Sequence, residues 1–172
     1  VIVAADKYTD TAGNDNTVSN QFDWTYDGTG PTMTITSGTV ASGSSTNTGA
    51  VVLVYTSNEA TTNFALDDIT VTECSNAAWN PSSSTVYGST CTEDSNGVSP
   101  TVLVAASKFT DAVANANSAS NTYSWTYDTT KPSMAITSTA GTADGGSSNV
   151  EAFALTFTSS EVTANFIVTD IT

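Results

Sequence analysis

The chain has no arginine, no histidine and only three lysines in 172 residues, against 17 acidic side chains. Its formal net charge is −14. Without a basic face it has nothing to neutralise phosphates, so nucleic acid is not an expected partner. An anionic membrane surface would repel it. The absence of histidine removes the commonest general base, the commonest metal ligand and the usual partner of a Ser or Cys nucleophile. Acid–base work by carboxylates alone is all that remains, and no catalytic role is expected. No apolar run is long enough for a membrane-spanning helix. The two cysteines, Cys74 and Cys91, are too few for a structural zinc site. A disulfide between them is the simpler reading and two buried free thiols the alternative. A disulfide implies an oxidising compartment.

Hydroxyls are abundant. Thr and Ser account for 56 residues, about a third of the chain. Only 12% of residues are charged, while six Phe, six Tyr and three Trp recur at regular places. A disordered acidic chain has more charge and fewer aromatics. Thr favours strands, and Ser, Asn, Gly and Asp favour turns. The composition predicts an all-β extracellular protein with hydroxyl-covered faces.

The sequence also repeats itself. Residues 1–37 align with 102–138 at a constant offset of 101, with 21 of 37 positions identical. A second block, "VVLVYTSNEATTNFALDDIT" at 51–70, answers "FALTFTSSEVTANFIVTDIT" at 153–172. One residue is inserted between the blocks, in a Gly/Ser/Thr-rich stretch. A period near 100 matches one small domain rather than a solenoid unit. The expected organisation is a repeat tail at 1–28, a complete repeat at 29–128 and the front of another at 129–172. On that reading the chain is an excerpt of a longer array.

Apolar residues alternate with period 2, and no helical stripe appears. Met33 and Ile35 alternate with Thr32, Thr34 and Thr36. Val51, Leu53 and Tyr55 share a face, as do their counterparts Phe153, Leu155 and Phe157. Phe64, Ile69 and Val71 mark another strand, and Val102 and Val104 the next. Tyr123, Trp125 and Tyr127 form one face of a final strand. "EDSNGVSP" at 93–100 is a turn. About seven short strands per hundred residues predict a two-sheet antiparallel sandwich.

"FALDDITVT", "KFTDAVANANSASNTYSWTYDTTKPSMAITS" and "TSSEVTANF" resemble the bacterial-type Ig-like repeats of giant surface proteins and adhesins. Those repeats typically carry an acidic loop, an aromatic last strand and an Asp-Thr-Thr-x-Pro linker. The resemblance implies tandem immunoglobulin-like β-sandwiches of about 100 residues on the cell surface. Residues 74–92 depart from the pattern. They are expected to form a local elaboration tied by the disulfide, with Trp79 packed on it as core filler or exposed to stack on a glycan.

Four acidic positions occur in both copies: Asp10 and Asp111, Asp27 and Asp128, Glu59 and Glu161, Asp68 and Asp170. In an Ig-type sandwich, the layout implied by the resemblance gathers Asp27, Glu59 and Asp111 at one interdomain junction. Like charges 4 Å apart at an effective dielectric near 20 repel by about 4 kcal/mol, so a bridging cation is needed to hold them. Hard oxygen ligands on loops favour calcium, completed by backbone carbonyls and Asn115. Asp128 and Glu161 would serve the next junction, and Asp10 the preceding one. Asp68 and Asp170 are expected to bond locally in a turn. The competing reading is that these acids cap turns and keep the protein soluble. Pro31 and Pro132 follow each linker and hold the preceding residue extended.

The function expected from these features is a structural stalk or filament module. Its partners would be neighbouring repeats and other copies in a filament, with O-linked glycans on its hydroxyls. The alternative is an adhesin module that binds cell-surface glycans.

Overall fold

The computed structural model describes residues 1–138, 144–149, 151–152 and 154–172. Phe153, expected on the strand face with Leu155, lies outside the described residues. The fold is almost entirely β, as the composition predicts. Its strands are β1 (Met33–Ser37), β2 (Ser45–Thr46), β3 (Ala50–Ser57), β4 (Ile69–Thr72), β5 (Cys74–Pro81) and β6 (Val86–Glu93). They continue with β7 (Thr101–Val104), β8 (Tyr123–Ser124), β9 (Thr126–Tyr127), β10 (Met134–Ser138) and β11 (Leu155–Ser159). Two single 3-10 turns, Leu66–Asp68 and Val168–Asp170, precede Ile69 and Ile171.

A four-stranded antiparallel sheet runs β1-β3-β6-β5, and a three-stranded antiparallel sheet runs β4-β7-β8. One buried apolar cluster draws on both. Met33 and Ile35 from β1, Val51, Leu53 and Tyr55 from β3, and Tyr87 and Cys91 from β6 meet Val102 and Val104 of β7 and Tyr123 of β8. Each strand contributes alternate residues, as a pleated strand must. Thr34 and Thr36 of β1 stay exposed.

Residues 74–92 are not the local elaboration the sequence suggested. They form β5, β6 and the turn between them, which is half of the larger sheet. The turn holds because the Ser83 hydroxyl accepts from the Thr85 and Val86 N–H groups. Cys74 and Cys91 form the disulfide, with Cα atoms 5.7 Å apart. Trp79 is half-buried and stacks on Tyr87, with ring centres 5.6 Å apart, while Phe64 meets it edge-on.

The final aromatic strand is also not continuous. It divides at Trp125: β8 pairs with β7, and β9 pairs in parallel with β2. Pro100 explains the break. Its carbonyl accepts from the Trp125 N–H, but proline has no N–H to return, so the ladder stops there. The buried Trp125 indole instead donates to Glu93 Oε1 at 2.8 Å.

Residues related by the sequence offset take the same local geometry. Met33–Ser57, the first pair of the β1–β3 register, corresponds to Met134–Ser159 in β10–β11. Thr9 and Asp15 form the same isolated bridge as Thr110 and Ala116. The Asp68 carboxylate accepts from the Ala65 N–H, and Asp170 from Ile167. These two acids therefore cap turns, as expected.

Candidate metal centre

Three loops deliver one carboxylate each to the same place. Asp27 lies before β1, where its Oδ1 accepts from the Thr29 N–H in a tight Asx turn. Asp128 makes the same turn with Thr130. Glu59 follows β3. Its neighbour Asn58 anchors that loop to the start of β1 by accepting from the Thr32 N–H at 2.6 Å. Asp111 lies between β7 and β8, in a loop closed by the Thr110–Ala116 bridge.

Asparagines hold these loops together. Asn117 Oδ1 accepts from the Lys108 and Phe109 N–H groups, while its Nδ2 donates to the carbonyls of Ala105 and Ser118. Asn63 Oδ1 accepts from the Thr110 N–H at 2.8 Å, tying the Asp111 loop to the segment after Glu59. Asn115 Nδ2 donates to the carbonyls of Asp27 and Thr29 and to Asp111 Oδ2. Gly30 allows this close approach, because a Cβ there would lie 2.0 Å from the Ala116 carbonyl oxygen.

One carboxylate oxygen from each of Asp27, Glu59 and Asp111 lies within 4.8 Å of the others. Asp27 is exposed, Glu59 half-buried and Asp111 buried. Burial pushes the Asp111 carboxyl up. Hydrogen bonds from the Asn115 side chain and the backbone of Asn115, Val113 and Ala114 outweigh it and hold the group below the ordinary range. Asp111 is therefore charged at neutral pH. Oxygen donors of one charge on convergent loops match a hard divalent cation, which takes six to eight ligands at 2.3–2.6 Å in the case of calcium. Asn115, expected as a ligand, spends its amide nitrogen as a clip between loops.

Among the described residues this is the one group of three carboxylates with metal-binding spacing. Asp128 and Glu161 hold the corresponding loop positions one repeat on, and among the described residues they belong to no such group of three. Asp10 stands in an exposed loop, where its oxygens accept from Ala12, from the Asn14 backbone and from Asn14 Nδ2. Trp79, the candidate glycan platform, has Tyr87 stacked on its ring.

Apart from Asn115, expected as a ligand, the asparagine clips were not singled out from the sequence, although their signal was present. Asn14, Asn16, Asn20 and Asn63 recur as Asn115, Asn117, Asn121 and Asn165. No helix among the described residues is long and apolar enough to cross a membrane. In comparison with known proteins, the chain matches no family model and is significantly similar to no curated protein and no solved structure.

Proposed function

We propose that the chain is a structural module of an extracellular stalk or filament, built from tandem Ig-like β-sandwich repeats with calcium-bridged joints. The boundaries are 1–28, 29–128 and 129–172. The strand order β1-β3-β6-β5 against β4-β7-β8 supports the Ig-like reading, and the disulfide supports an oxidising, extracellular location. The module acts through geometry rather than catalysis. A short linker carrying Asp27 enters the sandwich beside Glu59 and Asp111, and a shared cation locks linker to sandwich.

The convergence of three carboxylates from both sides of the 28/29 boundary carries this reading. Calcium titration by calorimetry tests it. Binding at one strong site is expected, lost in Glu59→Gln and Asp111→Asn. Calcium at a hundred times its Kd would add about 2.7 kcal/mol to stability. A chain that gives no calcium-dependent heat, and whose melting is indifferent to chelator, would overturn the calcium joint.

A further inference from the structure

The segments that open and close the central repeat run side by side in the same direction. Among the described strands, β2 and β9 form the one parallel pair. Hydrogen bonds continue that pairing back to the start of β1. The Ser118 N–H donates to the Pro31 carbonyl. Asn121 clamps Ile35, accepting from its N–H and donating to its carbonyl. The Tyr123 hydroxyl donates to the Val40 carbonyl. The Gly43 N–H donates to the Ser124 carbonyl at 2.7 Å, and the Thr126 N–H to the Ser44 carbonyl at 3.0 Å. The Asp128 N–H ends the series on the Thr46 carbonyl. Partner positions rise together from Pro31 and Ser118 to Thr46 and Asp128, so 31–46 and 118–128 make one parallel seam. β1 gives one edge to β3. Residues 118–121 form no strand, and on the other edge the Asn121 side chain takes the place of ladder bonds.

Both ends of the seam are tied to the sandwich. Where the chain enters, Asn115 joins the carbonyls of Asp27 and Thr29 to Asp111. Where it leaves, Asn96 accepts from the Thr129 N–H and donates to the Thr130 hydroxyl.

Direction matters under tension. A pull along the chain draws 31–46 back towards residue 29 and 118–128 forward past residue 128. Parallel segments drawn apart in this way slide along their shared axis, so the bonds of the seam carry load together. An antiparallel hairpin pulled at its open end instead yields one pair at a time. β5 and β6 form such a hairpin. Everything from β3 to β7 lies in the loop behind the seam, however, and the pull reaches it only after the seam has parted. The Cys74–Cys91 disulfide lies in that loop too.

We infer that the seam is a mechanical lock that bears tension along the chain, and that the disulfide limits how far the repeat extends once the lock has failed. The inference rests on the proposed stalk role for the source of that tension, and it needs no calcium.

Force spectroscopy on the full chain, tethered by its two ends in chelator, tests it. Forced unfolding follows the unfolding rate rather than equilibrium stability, so seam and core should separate. Asn121→Ala should unfold about tenfold faster at constant force, because it strands backbone groups in the seam. Val51→Ala thins the buried face of β3 behind the seam. It should lose comparable stability in urea, yet change the forced rate by less than about threefold, since β3 stays packed while the seam parts. Replacing Cys74 and Cys91 together by Ser should leave the forced rate unchanged. It should lengthen the unfolding step by about 50 Å, the extension freed by a sequence separation of 17. That longer step identifies the central repeat in the trace and keeps the test open where a seam variant does not fold. An Asn121→Ala chain that unfolds no faster under force than Val51→Ala would overturn the lock. So would a faster forced rate on removal of the disulfide. Failure of the calcium joint shows in calorimetry alone, and failure of the lock in the force trace alone.

Discussion

Residues 102–128 and 1–28 share most of their side chains and the same asparagine-clipped turns, yet only the first set is buried. Trp125 is 1% exposed and Trp24 70%. The difference lies in what stands opposite. Trp125 has Glu93 to receive its indole N–H, Tyr123 beside it at 6.2 Å between ring centres, and two sheets around it. Phe22 and Trp24 have mainly each other, 6.3 Å apart and tilted. Local turn chemistry is thus carried by the segment itself, whereas burial is supplied by the partner strands.

The largest effect that could break this comparison is truncation of the paired tryptophans. Trp125→Ala should lower stability by about 3–5 kcal/mol, the usual range for removing a large buried aromatic. Trp24→Ala should lie within about 0.5 kcal/mol of the parent, as exposed substitutions generally do. Urea denaturation of dilute protein measures both. Equal effects would mean that the two copies are packed alike.

The disulfide tests why the central copy alone is closed. It ties β5 to β6, the hairpin that neither flank contains. Replacing Cys74 and Cys91 together by Ser should lower stability by about 3 kcal/mol through the freed loop of the unfolded chain. The hydrogen bonds of the 1–28 turns, read by amide exchange, should not change. A loss of protection there would show that the flank depends on the central core.

A smaller contrast concerns the asparagine clamp. Asn121 Oδ1 accepts from the Ile35 N–H at 2.8 Å, and its Nδ2 donates to the Ile35 carbonyl. Asn121→Ala should lose about 1–3 kcal/mol, because it strands partly buried backbone groups. Among the described residues, the Asn20 side chain reaches only the Gln21 carbonyl, at 3.5 Å. Asn20→Ala should therefore be silent in the same urea denaturation.

Most of the all-β character was legible in the sequence, because period-2 alternation at Met33/Ile35 and Val51/Leu53/Tyr55 is a local signal. The meeting of Asp27, Glu59 and Asp111 was also legible, but only through recurrence of the acids combined with a strand layout. Residues 74–92 were misread because β5 offers little apolar alternation: only Cys74 is buried, with Asn76 and Trp79 half-buried, and a register shift between Ala77 and Asn80 interrupts the period. The break at Trp125 depended on Pro100, a residue distant in sequence whose missing N–H matters only once the two strands are side by side. The asparagine clips went unnoticed because composition treats Asn as a turn former, whereas Asn117 and Asn63 bind backbone groups in other segments.

The finest test compares the two acidic loops by pH. Side-chain and backbone hydrogen bonds from Asn14 lower the Asp10 pKa, with further backbone bonds from Ala12 and Gly13. In Asp111, burial opposes the equivalent bonds, which still prevail. Both groups bind protons less readily folded than unfolded. Their contribution is therefore complete above the ordinary value of 3.8 and is lost as the pH falls through the lower folded pKa. Carboxyl titration by NMR should place both below the ordinary range in chelator. Calcium should then move Asp111 and leave Asp10 unmoved, because Glu59 and Asp27 stand beside Asp111, while Asp10 belongs to no group of three carboxylates among the described residues. Equal calcium shifts at both residues in the monomer would show that the Asn-clipped loop itself binds the ion. The three-carboxylate junction would then not be the site.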